Sequence, residues 1–93
     1  MERYLIILLL LIGSHGVSAQ RISRQYNNVS MAQALKELNQ LQNRYTVNFI
    51  YNDLEDFRIT TNIKNKSVPD AIEQLIGFYP IRMTRRGDVI MVE

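Results

Sequence analysis

The chain states one pattern twice. Asn28-Val29-Ser30-Met31-Ala32-Gln33-Ala34-Leu35-Lys36-Glu37-Leu38 aligns, 37 positions on, with Asn65-Lys66-Ser67-Val68-Pro69-Asp70-Ala71-Ile72-Glu73-Gln74-Leu75. The two copies share Asn, Ser, Ala and Leu outright and match apolar for apolar elsewhere, so each reads as Asn-x-Ser followed by an amphipathic helix. Upstream, Ile22, Arg24 and Tyr26 fall opposite Ile59, Thr61 and Ile63, on alternate residues as one face of a strand requires. A strand-then-helix unit present twice in a short chain predicts a small two-lobed α+β module, and such modules bind more often than they catalyse.

Each helix has a start signal. Ser30 can accept from a free first-turn amide, and Gln33 three residues on completes a capping box. Met31, Ala34, Leu35, Leu38 and Leu41 then recur at helical spacing, opposite a face of Gln33, Lys36, Glu37 and Gln40. The second helix starts at Ser67, with Asp70 where Gln33 stood, Pro69 tolerated in the first turn and Gly77 as its carboxyl-terminal cap. Its stripe is Val68, Ala71, Ile72, Leu75 and Ile76.

After each helix comes a strand, Val47 to Tyr51 in the first unit and Ile81 to Thr84 in the second. Matching Val47 and Phe49 to Ile81 and Met83 needs an offset of 34, so the first unit carries three extra residues between helix and strand. A hairpin through Arg85-Arg86-Gly87-Asp88 leads into Val89-Ile90-Met91-Val92, and the polar, acidic segment Asn52 to Asp56 reads as the hinge between repeats. The expected fold is duplicated strand-helix-strand units, βαβ-βαββ, with two helices packed between two small sheets, each unit's strands covering its own helix. A ferredoxin-like arrangement, with both helices on one face of a single sheet, has nearly the same element order.

The first residues are an address. Arg3 and the amino terminus stand against Glu2, Leu5 to Ile12 is an unbroken apolar run, and Val17-Ser18-Ala19 offers small residues to a signal peptidase. That predicts a secretory signal peptide over 1–19, cleaved between Ala19 and Gln20, and one domain over 20–93. The apolar run is well short of the roughly 20 residues that a membrane-spanning helix needs. Without cysteine the chain has neither disulfides nor a lipid-modified cysteine, so packing alone or a larger neighbour must hold the domain. A net charge of +2, which loss of Glu2 and Arg3 leaves unchanged, is far below that of a dedicated nucleic-acid binder.

Catalytic chemistry has little to work with. The one histidine, His15, leaves with the leader, and there is no cysteine to act as nucleophile or metal ligand. Asp53, Glu55 and Asp56 lack the glycine and alternate-oxygen spacing of a calcium loop and read as a solvated connection. No catalytic residue, cofactor or metal ligand is therefore expected. Asn28-Val29-Ser30 and Asn65-Lys66-Ser67 match a glycosylation sequon, but each places its serine at a helix start, which already accounts for it. Arg82, Arg85 and Arg86 concentrate positive charge on the terminal hairpin, beside Met83 and near Tyr79, and are the candidate partner-binding residues, suited to an acidic partner. Tyr45, Phe49, Tyr51, Phe57, Phe78 and Tyr79 are expected in the core or at its rim rather than as a platform for stacking bases.

Taken in order, the leader, Ile22-x-Arg24-x-Tyr26, Asn28-x-Ser30-Met31-x-x-Ala34-Leu35-x-x-Leu38, Val47-Asn48-Phe49-Ile50-Tyr51, Ile59-x-Thr61-x-Ile63 and Ser67-Val68-x-x-Ala71-Ile72-x-x-Leu75 resemble the secretin and TonB amino-terminal short domain. Gly87-Asp88-Val89-Ile90-Met91-Val92 is similar to the last strand of that family. The sequence is similar in style to versions of that domain found in Bacteroidetes outer-membrane receptors. The resemblance implies a non-enzymatic interaction and signalling domain at the periplasmic face of the outer membrane, ahead of the plug and barrel of a TonB-dependent receptor. Its partner would be a periplasmic protein such as an anti-sigma regulator, and it would meet the membrane only through a downstream barrel. Two other forms are open: the amino-terminal domain of a secretin channel, and a free-standing periplasmic adaptor.

Overall fold

The computed structural model describes residues 21–93, so the leader expected over 1–19 and its expected cleavage site between Ala19 and Gln20 lie outside the described residues. In chain order the elements are β1 (Ile22–Ser30), α1 (Met31–Leu41), β2 (Thr46–Asn48), α2 (Tyr51–Leu54), β3 (Arg58–Lys66), α3 (Val68–Ile76), β4 (Met83–Arg86) and β5 (Val89–Val92). β1 and β3 form one antiparallel sheet, and β2, β5 and β4 form a second in that order. Helices α1 and α3 lie between the two sheets, the α+β arrangement that the repeat predicts.

Both helices begin as their serines dictate. The Gln33 amide donates to Ser30 Oγ at 2.9 Å and the Asp70 amide to Ser67 Oγ at 3.3 Å, each filling a donor that the first turn leaves open. Ser30→Ala is expected to lower stability by about 1 kcal/mol, read from the urea midpoint. The asparagine two residues before each cap also has a job: Asn28 and Asn65 are the only non-glycine described residues with positive φ, 54° and 51°. Asparagine tolerates that left-handed conformation better than most side chains do. The Asn28 amide donates to Thr60 Oγ1 at 2.9 Å and the Asn65 amide to Ser23 Oγ at 3.0 Å. Ser23 and Thr60 are themselves one repeat apart, so the two units exchange equivalent contacts across β1 and β3.

β1 pairs with β3 and β2 with β5, each across the repeats, while β4 pairs with β5 inside the second, which differs from a sheet formed by each unit beside its own helix. The reason lies in the helices. Met31, Ala32, Ala34, Leu35 and Leu38 are all buried on α1, as are Val68, Pro69, Ala71, Ile72 and Leu75 on α3, a band too wide for one sheet to cover. Sending one strand of each unit to either side covers both flanks. Ile22, Tyr26, Ile59 and Ile63 enter the core from the first sheet, and Val47, Ile90 and Val92 from the second. Leu41, placed on the apolar stripe by its spacing, sits at the helix end and is 47 % exposed.

Arg24 shares the helix-facing side of β1 with Ile22 and Tyr26 but lies at its rim. Its guanidinium grips both oxygens of Glu37 on α1, and the Tyr26 hydroxyl donates to Glu37 Oε1 at 2.7 Å. Burial, with the neighbouring carboxylate, pushes the Tyr26 phenol up to about 12, and Glu37 raises the Arg24 guanidinium further above its usual range.

Two boundaries move. The strand expected over Val47 to Tyr51 stops at Asn48, and the segment read as a polar hinge contains a helical turn, α2, because Leu54 is buried. The strand expected over Ile81 to Thr84 runs instead from Met83 to Arg86, because the Ile81 amide is used in a local turn to Tyr79 O at 2.7 Å. The hairpin loop is then Gly87-Asp88 alone, with Gly87 at φ 57° in the first central position, where a two-residue type II′ turn requires glycine.

Candidate docking surface

The second sheet decides what the arginine-rich hairpin can do. β4 pairs with β5 in unbroken antiparallel register, Met83 with Val92, Thr84 with Met91, Arg85 with Ile90 and Arg86 with Val89. Arg82 and Glu93 extend the ladder by exchanging both backbone hydrogen bonds, at 3.4 and 2.9 Å. Since antiparallel pairs alternate, Thr84 and Arg86 also bond toward β5, while the N–H and C=O of Met83 and Arg85 point away from the sheet. Among the described residues nothing pairs with that edge.

The same alternation separates the three arginines. Arg82, Thr84 and Arg86 lie on the outer face with Val89 and Met91, whereas Arg85 stands opposite the fully buried Ile90 on the core side. The Arg85 guanidinium folds back over the Tyr45 ring, 5.0 Å from its centroid, and donates to Tyr45 Oη at 3.1 Å and to Gly87 O at 3.0 Å. Arg44 approaches the same ring at 5.2 Å, with Asp88 3.8 Å from its Nε. Arg85 is therefore a brace for the hairpin. Among the described residues the Arg82 and Arg86 side chains have no ion-pair partner, and they keep the outer face positive.

The other edges are protected. On β2 the N–H and C=O of Val47 face outward, and the Asn39 carboxamide takes both, accepting from Val47 N at 2.8 Å and donating to Val47 O at 2.8 Å. One side chain thus stands where a partner strand would bond. β1 and β3 are interrupted by register shifts at Ile22/Arg24 and Tyr26/Val29, the kind of irregularity that discourages further pairing. β4 is the regular edge left open.

A second feature lies at the end of the sheet where β2 and β5 finish. An apolar groove of about 430 Å³ is lined by Phe49, Ile50, Leu54, Phe57, Ile81 and Val92. Asp53, Glu93 and Asn48 stand at its rim with Pro80 and Met91. Leu54 is buried in its floor, and Ile50, at its mouth, is 64 % exposed.

Of the aromatic residues, Tyr45, Phe49 and Phe57 pack half-buried against the core. Tyr79 packs at a tilt of 59° against Phe57 with ring centroids 5.2 Å apart and donates its hydroxyl to Arg58 O, while its neighbour Phe78 is fully exposed. Asp53, Glu55 and Asp56 do not come together as a cation site, and no group of three His, Cys, Asp or Glu among the described residues could hold a metal. No helix among the described residues is long and apolar enough to cross a membrane.

The split of the arginines was open to sequence reasoning, since Arg82 and Arg86 share a parity that Arg85 does not. So was Ile50, an apolar residue at an outward position of the run Val47 to Tyr51. Asn39 gave no such signal, because it lies on the polar side of α1 like any solvated residue. No family model matches the chain, and no curated protein matches it.

Proposed function

We propose that this chain is a non-enzymatic docking module of the secretin and TonB short-domain kind, exported to the periplasm as the amino-terminal part of an outer-membrane receptor. It takes a periplasmic protein partner, of the anti-sigma regulator type, as an added strand along β4. The open β4 edge carries this reading, a row of outward backbone groups beside two unpaired arginines in a sheet whose opposite edge is sealed by Asn39. Main-chain bonds to Met83 and Arg85 supply affinity, and Arg82 and Arg86 favour carboxylates on the incoming strand. The leader, the repeat and the scarcity of catalytic side chains support the same assignment.

The test compares three variants for binding to the periplasmic domain of an anti-sigma regulator. Arg85→Pro removes the brace and one of the two outward N–H groups of the edge without touching the bonds to β5, Arg85→Ala removes only the brace, and Arg86→Glu reverses the outer-face charge. Arg85→Pro is expected to weaken binding at least about tenfold beyond Arg85→Ala, with a smaller loss for Arg86→Glu. A loss confined to Arg86→Glu would assign recognition to hairpin charge and not to the edge. Binding unchanged in all three variants would overturn the docking surface.

A further inference from the structure

The groove between α2 and the ends of β2 and β5 has no residue of β4 in its lining. We infer that it accepts a peptide segment of a protein partner in which one large aliphatic or aromatic side chain is flanked by lysine or arginine.

The argument begins with the floor. Leu54, Ile81 and Val92, nearly or wholly buried, close the floor from three separate parts of the chain, α2, the approach to β4, and β5, and half-buried Phe49 and Phe57 line it with them. The volume of about 430 Å³ falls within the usual range of sites that enclose a small ligand or an anchor side chain. Ile50 at the mouth leaves 64 % of its surface in water, so a side chain entering the groove would cover apolar area on the wall as well as the floor.

The rim selects what may accompany that anchor. Asp53 and Glu93 line the groove, and Glu55 and Asp56 follow within one turn of α2. None of the four carboxylates has an ion-pair partner among the described residues. The protein as a whole is positive, at +2, so two carboxylates without an ion-pair partner in the lining of an apolar groove run against its average. An acidic segment would be repelled there, and a neutral apolar one would leave the carboxylates without partners. A segment with cations beside its anchor satisfies both parts of the site. Glu93 faces Arg82 across the β4–β5 ladder, so Asp53 is the carboxylate that sets the preference of the groove, while Arg86 gives the β4 edge the reverse one.

Three labelled ten-residue peptides test this by fluorescence anisotropy against the purified protein: one with Leu and Phe anchors flanked by Lys, the same peptide with Lys replaced by Glu, and the same with the anchors replaced by Ala. The Lys-flanked peptide is expected to bind at least about tenfold tighter than either of the others. Asp53→Lys and Ile50→Asp, both at exposed positions that leave the core intact, are each expected to weaken it by a similar factor, while Arg86→Glu leaves it unchanged. Amide shifts on peptide addition should fall on residues 48–57 and 80–81. Equal binding of the Glu-flanked peptide, no binding at millimolar concentration, or shifts confined to β1 and β3 would each overturn the inference. None of these outcomes bears on Arg85→Pro, so this site and the β4 edge stand or fall separately.

Discussion

Replacing Leu35 with alanine is expected to remove about 2–5 kcal/mol of stability. Leu35 lies at the centre of α1 with no exposed surface, in the same core as Leu38, Ile72 and Leu75 of the two helices and Ile63 and Ile90 of the two sheets. Because the helix is covered on both flanks, neither sheet can collapse into the space without losing its contact with the other helix, which places the loss toward the upper part of that range. Domains of this size are stable by roughly 0.05–0.15 kcal/mol per residue, so the variant should be close to half unfolded in dilute buffer at the low end. Urea titration followed by circular dichroism measures it, with the slope held near that of the parent. Leu41→Ala is the matched control: the same deletion on the same helix, at a side chain already 47 % exposed, should cost under about 0.5 kcal/mol. Equal losses for the two would mean that the buried face of α1 is assigned wrongly.

That contrast also marks how far the sequence could be read. The spacing of Met31, Ala34, Leu35 and Leu38, repeated in Val68, Ala71, Ile72 and Leu75, is a local signal, and it placed both helices and their buried faces. The repeat likewise matched Ile22 and Tyr26 with Ile59 and Ile63 as one face of two related strands. Periodicity says which face of a strand is buried but not which strand lies next to it, so the pairing of β1 with β3 and of β2 with β5 was beyond its reach. The same limit hid the β4 edge, because an edge is defined by the neighbour it lacks. Leu41 was misplaced because a helical stripe carries no mark of where the covering sheet ends. Asn39 and Gln42 were missed for a different reason: a polar residue at the end of a helix has the same appearance whether it faces water or holds a backbone segment.

Gln42→Leu should destabilise the domain by about 2–5 kcal/mol although it preserves the volume of the side chain. Gln42 is the one buried polar side chain among the described residues, 7 % exposed, and all its bonds are to backbone. Its Nε2 donates to Leu38 O at 3.0 Å and to Tyr45 O at 2.9 Å, while its Oε1 accepts from the amides of Arg44 at 2.9 Å and Tyr45 at 2.8 Å. The connection between α1 and β2, residues 42–45, is thus folded around one carboxamide. A leucine there would leave four backbone groups without partners, each costing about 1–3 kcal/mol where water cannot reach it, and rehydration of the outer ones limits the sum. Gln42→Glu separates the two halves of the role: it can still accept from Arg44 and Tyr45 but places charge against the carbonyls of Leu38 and Tyr45, so it should fall between Leu and the parent at neutral pH and recover as acid protonates the carboxyl. The loop sets Tyr45, and Tyr45 holds Arg85, so the loss should reach the hairpin. In Gln42→Leu the amides of Val47 and Ile90 are expected to exchange faster with solvent while those of β1 and β3 do not. Uniform acceleration would mean that the loop acts on global stability alone and does not position β4.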